Sequence, residues 1–307
     1  MFFVCRFSGF AIFVVNSFDV NHHQMKAINF TNNLASDERW LVADLSNTTC
    51  KFALTTPHRI LATRRLATTE LSLESLNTII EGWSVQRVII ASVVPKAKQL
   101  ITRFCKKKKV PLLCIDAMTD LGIKIRYPNP SSIGSDRLVN VVAVKNRYPA
   151  PCIVANFGTA IVFDIIDQYG AYLGGIIAPG LLTSSKALHE RTALLPLAIP
   201  SPIRRALGKN TLTAIHSGLL LGARGLVREV VEQITKENFS GKRPLLIGTG
   251  TDAQLVAGKE KLFDHIDLNL TLEGIREVGC RTVGSQEKKR IATKNPKESK
   301  KKALLNF

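Results

Sequence analysis

The sequence predicts an α/β protein built from two related lobes, and three features carry that expectation. From Trp40 onward, short apolar strand-like runs alternate with segments of helical periodicity, the pattern of parallel strands joined by helical crossovers. A strand–turn–strand unit near residue 40 recurs about 110 residues later, a spacing too long for a solenoid and suited to a duplicated lobe. The chain has 307 residues, of which 45% are hydrophobic and 21% charged. That is long for one compact core, natural for two, and too apolar for wholesale disorder.

Trp40-Leu-Val-Ala-Asp44 reads as a buried strand, Ser46-Asn47-Thr48 as a tight turn and Cys50 to Thr55 as the returning strand. Leu71, Leu73, Leu76, Ile79 and Ile80 mark a helix ending near Gly82. Val88 to Ala91 is a short buried strand. Pro95 then opens a helix where its missing N–H does no harm, and that helix runs out in the block Lys106 to Lys109. Leu112 to Ile115 is strand-like. The second hairpin is Ile153 to Asn156, the turn Phe157-Gly-Thr-Ala160, and Ile161 to Ile166. Tyr172 to Ile177 adds a third strand. Thr211 to Glu237 is a long amphipathic helix capped near Asn210. Leu245 to Gly248 is a strand entering the turn Gly248-Thr-Gly-Thr-Asp252, with a helix after it. The expected organisation is a non-conforming leader over 1–39, a candidate for disorder, lobes over 40–151 and 152–283, and a basic disordered tail over 284–307.

The net charge is +18. The tail from Ser285 holds eight Lys or Arg against Glu287 and Glu298, and the remainder is still basic. Such a balance suits an anionic ligand such as a nucleotide. No aromatic-interleaved basic platform accompanies the lysines, so no specific nucleic-acid partner is expected. The six cysteines form no C-x-x-C pair and no Cys/His spacing suited to zinc, which points to a reduced, cytoplasmic setting. No apolar run reaches the ~20 residues needed to span a bilayer, so no membrane partner is expected. Phe7 to Val15 behind Arg6 imitates a signal-peptide core, but no A-x-A-like site follows, and Asn16 and Asp19 interrupt it.

Phosphoryl transfer needs donors around the phosphates, a metal held by carboxylate, and a group that receives the acceptor's proton. Candidates for each stand at strand ends or turns, where ligands of open α/β sheets bind. Asp44 can hold Mg²⁺, which favours one or two carboxylates plus phosphate oxygens. Ser46, Asn47 and Thr48 offer hydroxyl, amide and backbone N–H groups, though an ordinary Asx-type turn explains them equally well. In Gly134-Ser135-Asp136-Arg137, Asp136 stands before a helix expected to start near Leu138. It is either an N-cap or the general base for an alcohol, with Arg137 beside it to bind an anionic group. The Gly248–Asp252 turn can cradle a nucleotide but matches neither the P-loop nor the dinucleotide fingerprint.

Taken in order, these motifs resemble the type III pantothenate kinases, the family that also contains the Bvg accessory factor. The D-x-G-N-T motif appears as Asp44-Leu-Ser46-Asn47-Thr48, and S-S-V-V-P as Ala91-Ser92-Val93-Val94-Pro95. Tyr127-Pro-Asn129-Pro130 followed by Gly134-Ser135-Asp136-Arg137 matches Y-x-N-P…G-A-D-R. Asn156-Phe-Gly158-Thr159-Ala160 matches D-x-G-T-A, and further pieces are Leu173 to Gly180, Thr192 to Pro196, Gly208 to Thr211 and Thr271 to Gly274.

The resemblance implies an actin- and sugar-kinase-like fold, two ribonuclease-H-like lobes with an ATP cleft between them. It implies ATP-dependent phosphorylation of pantothenate, the first step towards coenzyme A, with Mg²⁺ and a monovalent cation (K⁺ or NH₄⁺). It also implies a homodimer whose sites receive residues from the neighbour. Carried over by motif, Asp136 is the catalytic base, and Tyr127, Gly134, Ser135 and Arg137 bind pantothenate, with Thr211 supplied across the dimer. Asp44, Asn47, Thr48, Gly158, Thr159 and Gly250 surround ATP and its phosphates, Asp44 holding Mg²⁺ and Asn156 standing at the monovalent-cation position. Three departures lie on the nucleotide side. Asn156 replaces an Asp, which removes one negative charge; Ser46 replaces a Gly; and Thr251 replaces the second Gly of T-G-G. They leave open a second reading, a non-catalytic accessory or regulatory homologue that keeps the fold with a weakened nucleotide site.

Overall fold

The computed structural model describes residues 3–7, 10–15 and 38–294, with side chains from 38 to 286. The chain divides into two compact units, the first comprising 1–122, 131–143 and 272–307, the second 123–130 and 144–271.

In the first unit, β1 (Phe3–Phe7) and β2 (Phe10–Val15) form an antiparallel hairpin. A meander follows of β3 (Trp40–Leu45), β4 (Thr49–Thr55) and β5 (Ile60–Ala67). α1 (Leu73–Ile79) leads to β6 (Arg87–Ser92), which pairs parallel with β3. α2 (Pro95–Lys108) leads to β7 (Leu112–Ile115), which pairs parallel with β6. The sheet order is β1-β2-β5-β4-β3-β6-β7. Every residue of β3 is buried, as a central strand covered on both faces requires. Its core joins Leu41, Leu45, Phe52, Leu76, Ile90 and Phe104. α1 begins in a capping box between Ser72 and Ser75, and α2 has Pro95 in its first turn and ends at Lys109 in the left-handed region. Lys106 to Lys108 sit where the helix dipole is negative.

α3 (Ser135–Arg147) begins three residues before the expected start at Leu138. The Gly134 carbonyl accepts from the backbone N–H groups of Arg137 and Leu138, so the helix is nucleated at Gly134. Asp136 therefore lies inside the first turn and is not the cap. The second unit repeats the meander in β8 (Cys152–Phe157), β9 (Ala160–Ile166) and β10 (Tyr172–Pro179). α4 (Leu181–Arg191) and α5 (Thr211–Asn238) precede β11 (Leu245–Gly250), which pairs parallel with β8. α6 (Ala253–Ala257) leads to β12 (His265–Ile266), parallel to β11. The order β10-β9-β8-β11-β12 has the same strand succession and directions as β5-β4-β3-β6-β7. Each unit is thus a ribonuclease-H-like sheet, and the chain is a duplication of the actin and sugar-kinase class. β11 runs two residues past the expected Gly248, because its ladder with β8 continues through Thr249↔Asn156 and Gly250↔Phe157.

The lobe boundaries differ from those expected. Residues 123–130 belong to the second unit, and α7 (Leu270–Lys294) returns from Leu272 to the first. The return depends on two glycines. A Cβ at Gly274 would lie 2.0 Å from the Val139 carbonyl oxygen, and one at Gly279 would lie 2.3 Å from Ile89 Cδ1. The nearly buried Arg276 guanidinium bonds the Pro57 carbonyl and pairs with Glu273 at 2.7 Å, while Cys280 Sγ donates to the same carbonyl at 3.0 Å. α7 also continues ten residues beyond Gly284, correcting the expected start of the disordered tail, since one interior glycine costs a helix only about 1 kcal/mol. The tail beyond Lys294 lies outside the described residues. The leader reading is corrected where β1 and β2 form; β2 pairs with the outer edge of β5, whose backbone groups would otherwise lack a ladder. The rest of that leader lies outside the described residues. No described helix is long and apolar enough to cross a membrane.

Gly274→Ala is expected to destabilise the fold by about 1–3 kcal/mol in urea denaturation, although alanine is the better helix former. An unchanged or raised midpoint would contradict the close approach of α7 to α3.

Candidate active site

Within the first unit, the carboxyl ends of β3 and β6 lie side by side, with Asp44 opposite Ala91 and Leu45 opposite Ser92. Ser135 Oγ donates to the Ser92 carbonyl at 3.3 Å, which fastens the start of α3 to the end of β6. Asp136 is thereby brought into the neighbourhood of Asp44, and each carboxylate is a group the other must tolerate. Asp44 is only 5% exposed. Burial, together with the Asp136 charge, pushes its carboxyl up to about 6, against the opposing pull of Lys51 and the Ser46 hydroxyl. Burial also raises Asp136, against bonds from its own N–H and that of Arg137. A side chain at Gly134 would meet Asp136 Oδ1 at 2.5 Å, so the missing Cβ leaves room for the carboxylate.

The turn after Asp44 is tied down at both ends. Ser46 Oγ donates to Asp44 Oδ1 at 2.9 Å, Thr68 Oγ1 donates to the Ser46 carbonyl at 2.6 Å, and Thr68 N–H bonds the Thr48 carbonyl at 3.0 Å. Asn47 and Thr48 are exposed on this turn. Ser46 is not among the positive-φ residues, so it occupies the glycine position of the resembled motif without backbone strain.

Within the second unit, Asn156, Gly158 and Thr159 occupy the corresponding strand end of β8. The turn closes through Gly158 N–H to the Ala160 carbonyl, and Thr159's carbonyl accepts from Gly180 N–H at 3.0 Å and Thr183 Oγ1 at 2.7 Å. Gly250 ends the neighbouring β11 at φ +92°, and a Cβ there would lie 2.4 Å from the Phe157 carbonyl oxygen and 2.5 Å from Asn156 Oδ1. Glycine is therefore required at 250. Thr251, by contrast, is exposed and has no positive φ, so its side chain is accommodated. Asp252 N–H bonds the Phe157 carbonyl at 3.2 Å, locking the Gly-rich turn to β8.

Asp44, Asn47, Thr48, Gly134, Ser135, Asp136 and Arg137 are thus assembled in the first unit, and Asn156, Gly158, Thr159 and Gly250 in the second. Tyr127 belongs to the second unit, its ring 6.2 Å from that of Tyr172. Thr211 is the exposed first residue of α5, behind the Asn210–Thr213 capping box. The supports Thr68 and Thr183 were not legible as site residues, because a lone threonine carries no local signal for a bond to a distant carbonyl. Among the described residues, no group of three or more His, Cys, Asp or Glu gathers around a possible metal.

The family model for type III pantothenate kinase matches residues 40–233. Curated relatives of that name include those of Akkermansia muciniphila, 38% identical over 77% of this chain and 96% of the relative, and Methylacidiphilum infernorum, 38% identical over 78% and 87%. The relative from Desulfosudis oleivorans is 35% identical over 78% of this chain and 98% of its own. Among solved structures, a Baf family transcriptional activator from Campylobacter jejuni superposes with a TM-score of 0.51 at 18% identity, covering 78% of this chain and 96% of that one. The ethanolamine utilization protein EutJ of Carboxydothermus hydrogenoformans gives 0.50 at 11% identity, covering 82% and 94%. These two likenesses concern the fold alone. None of these matches favours the non-catalytic reading.

The raised Asp44 carboxyl has a measurable consequence. Its folded value lies above its unfolded one of 3.8, so stability is lost as pH rises from about 4 to about 6 and the buried charge remains a cost above that range. Asp44→Asn is expected to raise the melting temperature at pH 7.5, by the equivalent of at most about 3 kcal/mol, and to leave it unchanged near pH 3.5. Equal effects at both pH values would contradict the assignment.

Proposed function

The chain belongs to the type III pantothenate kinase family, and from that membership we infer that it phosphorylates pantothenate with ATP, the first step towards coenzyme A, using Asp136 as general base. The observation that carries the residue assignment is the pairing of two raised carboxyls in one unit, Asp44 buried and Asp136 half-buried beside it. Environments that separate the tasks of two carboxylates are how acid–base sites are built.

In this reading Asp136 accepts the proton of the pantothenate hydroxyl as that oxygen forms its bond to the γ-phosphorus and the bond to the ADP oxygen breaks. The N–H groups of Asp136 and Arg137 hold the carboxylate in place, and its raised proton affinity makes it a stronger base. Gly134 leaves room for that carboxylate, and Ser135 anchors it to β6. Arg137 and Tyr127 bind the acceptor. Toward the nucleotide, Asn47, Thr48, Gly158, Thr159 and Gly250 offer backbone N–H, hydroxyl and amide groups. Asp44 fits Mg²⁺: it is a buried carboxylate short of positive charge, and Mg²⁺ characteristically takes one or two carboxylates plus substrate phosphates. When bound, the metal neutralises phosphate charge. Asn156 offers a neutral amide oxygen for K⁺ or NH₄⁺.

A homodimer is supported by α5, whose exposed stripe Thr211, Ala214, Gly218, Leu221, Gly222 and Gly225 bears no charge over four turns. A second copy covering that stripe also accounts for Thr211 as a residue supplied across the dimer. A cytoplasmic location is supported by the free thiols: burial lifts Cys50, Cys105 and Cys280 to about 11 and Cys152 to about 12, leaving them inert.

Asp136→Asn is expected to lower turnover by about 10²–10⁴-fold in a coupled ADP assay with pantothenate, ATP, Mg²⁺ and K⁺. Retained turnover would overturn the base assignment, and wild-type binding of pantothenate without product would overturn the kinase reading. Gly222→Arg is expected to convert the dimer to a monomer in sedimentation velocity; a wild-type monomer would sink the dimer.

A further inference from the structure

We propose that Tyr172, backed by Asp164, is the positioning residue that presents Tyr127 to the acceptor substrate. The inference rests on the reading of Tyr127 as a pantothenate contact and deepens it. Residues 123–129 have no regular secondary structure apart from an isolated bridge between Ile125 and Tyr172, and they are carried by the second unit. Tyr172 is what holds them there. Its N–H donates to the Lys124 carbonyl at 2.9 Å, and its carbonyl accepts from the Arg126 N–H at 2.8 Å, so both of its backbone groups are committed to the strand-like stretch just before Tyr127. Its ring packs against that of Tyr127 with the planes tilted by 38°.

The Tyr172 ring is itself fully buried, and its hydroxyl donates to Asp164 Oδ1 at 3.0 Å. Asp164 is also fully buried. A hydrogen bond in such surroundings fixes a ring more firmly than packing alone, because a buried carboxyl oxygen strongly resists losing its donor. The register of β10 against β9 shifts between Tyr172 and Gly174, a bulge of the kind that re-aims a side chain beside a site. Gly174, at φ +148°, adds no Cβ on the Tyr127 side, where one would come within 3.7 Å of Tyr127 Cε2. Tyr127 is thus seated between a pinned aromatic ring and a side-chain-free strand. Arg126 pairs with Asp167 at 3.3 Å and ties the same segment to the residue that follows β9. No part of this arrangement is needed to complete the β8–β9–β10 ladder. Phenylalanine at 172 would preserve the ladder and the ring but leave the ring unpinned.

The test is steady-state kinetics on the full chain for Tyr172→Phe, Tyr127→Phe and the double variant, with melting temperatures alongside. Tyr172→Phe is expected to raise the pantothenate KM several-fold while leaving the ATP KM and kcat unchanged. The double variant should match Tyr127→Phe alone, because Tyr172 acts only through Tyr127. An unchanged pantothenate KM in Tyr172→Phe, a parallel rise in the ATP KM, or additive effects in the double variant would overturn the proposal. If Tyr127→Phe itself leaves the pantothenate KM unchanged, it is the reading of Tyr127 that fails. Should Tyr172→Phe not fold, Tyr172→Phe with Asp164→Asn replaces the buried carboxyl together with its donor, and the same selective KM change is required of it.

Discussion

Asp44 and Asp136 reach one place by different routes, one at the end of the central strand of the first sheet and the other on the opening turn of a helix nearly a hundred residues later. Burial raises the proton affinity of both, and the Asp136 charge adds to it at Asp44. Most of the local architecture serves to keep them there. The Ser46 hydroxyl and Lys51 partly compensate Asp44, the helix N–H groups partly compensate Asp136, and the Ser135–Ser92 bond stops α3 from relieving the repulsion by moving away. A buried carboxylate with a second one in its neighbourhood weakens the fold on its own account.

The duplication explains where the remaining groups stand. In each ribonuclease-H-like sheet the first strand runs out into a turn that reverses into the second, and its parallel neighbour ends beside it. That geometry leaves a row of strand ends at which backbone N–H groups and short polar side chains face outward. Asp44 and Asn156 occupy equivalent ends, of β3 and β8, yet the surroundings differ. The first is charged, buried and opposed by a second carboxylate, whereas the second is neutral and lies against the backbone of Gly250. One scaffold repeated twice has therefore produced one acidic and one amide-lined turn.

The departures from the family pattern find ordinary backbone accommodation. Ser46 and Thr251 stand where glycine is the family residue, but neither adopts the left-handed conformation that would demand glycine. The position that does demand it, 250, retains it. Asn156 remains the substantive change, since it alters charge rather than shape.

Some of this is legible in the sequence alone. The hairpins at 40–55 and 152–166 follow from period-2 apolar runs and local turn chemistry, and the long helix from Thr211 follows from its apolar stripe and the Asn210 cap. These are short-range effects, written in consecutive residues. The ordered motifs identified the family for the same reason: each is a local cluster of residue types. What only the tertiary structure decided is non-local. β5 is an edge-like strand mixing apolar and charged residues, and α7 carries three interior glycines that read as helix breakers until Val139, Trp40 and Ile89 are seen crowding two of them. The return of α7 to the first unit, the transfer of residues 123–130 to the second, and the approach of Asp136 to Asp44 all depend on contacts between segments tens to hundreds of residues apart. Periodicity has no access to such distances; only packing density and the placement of buried charge select among them.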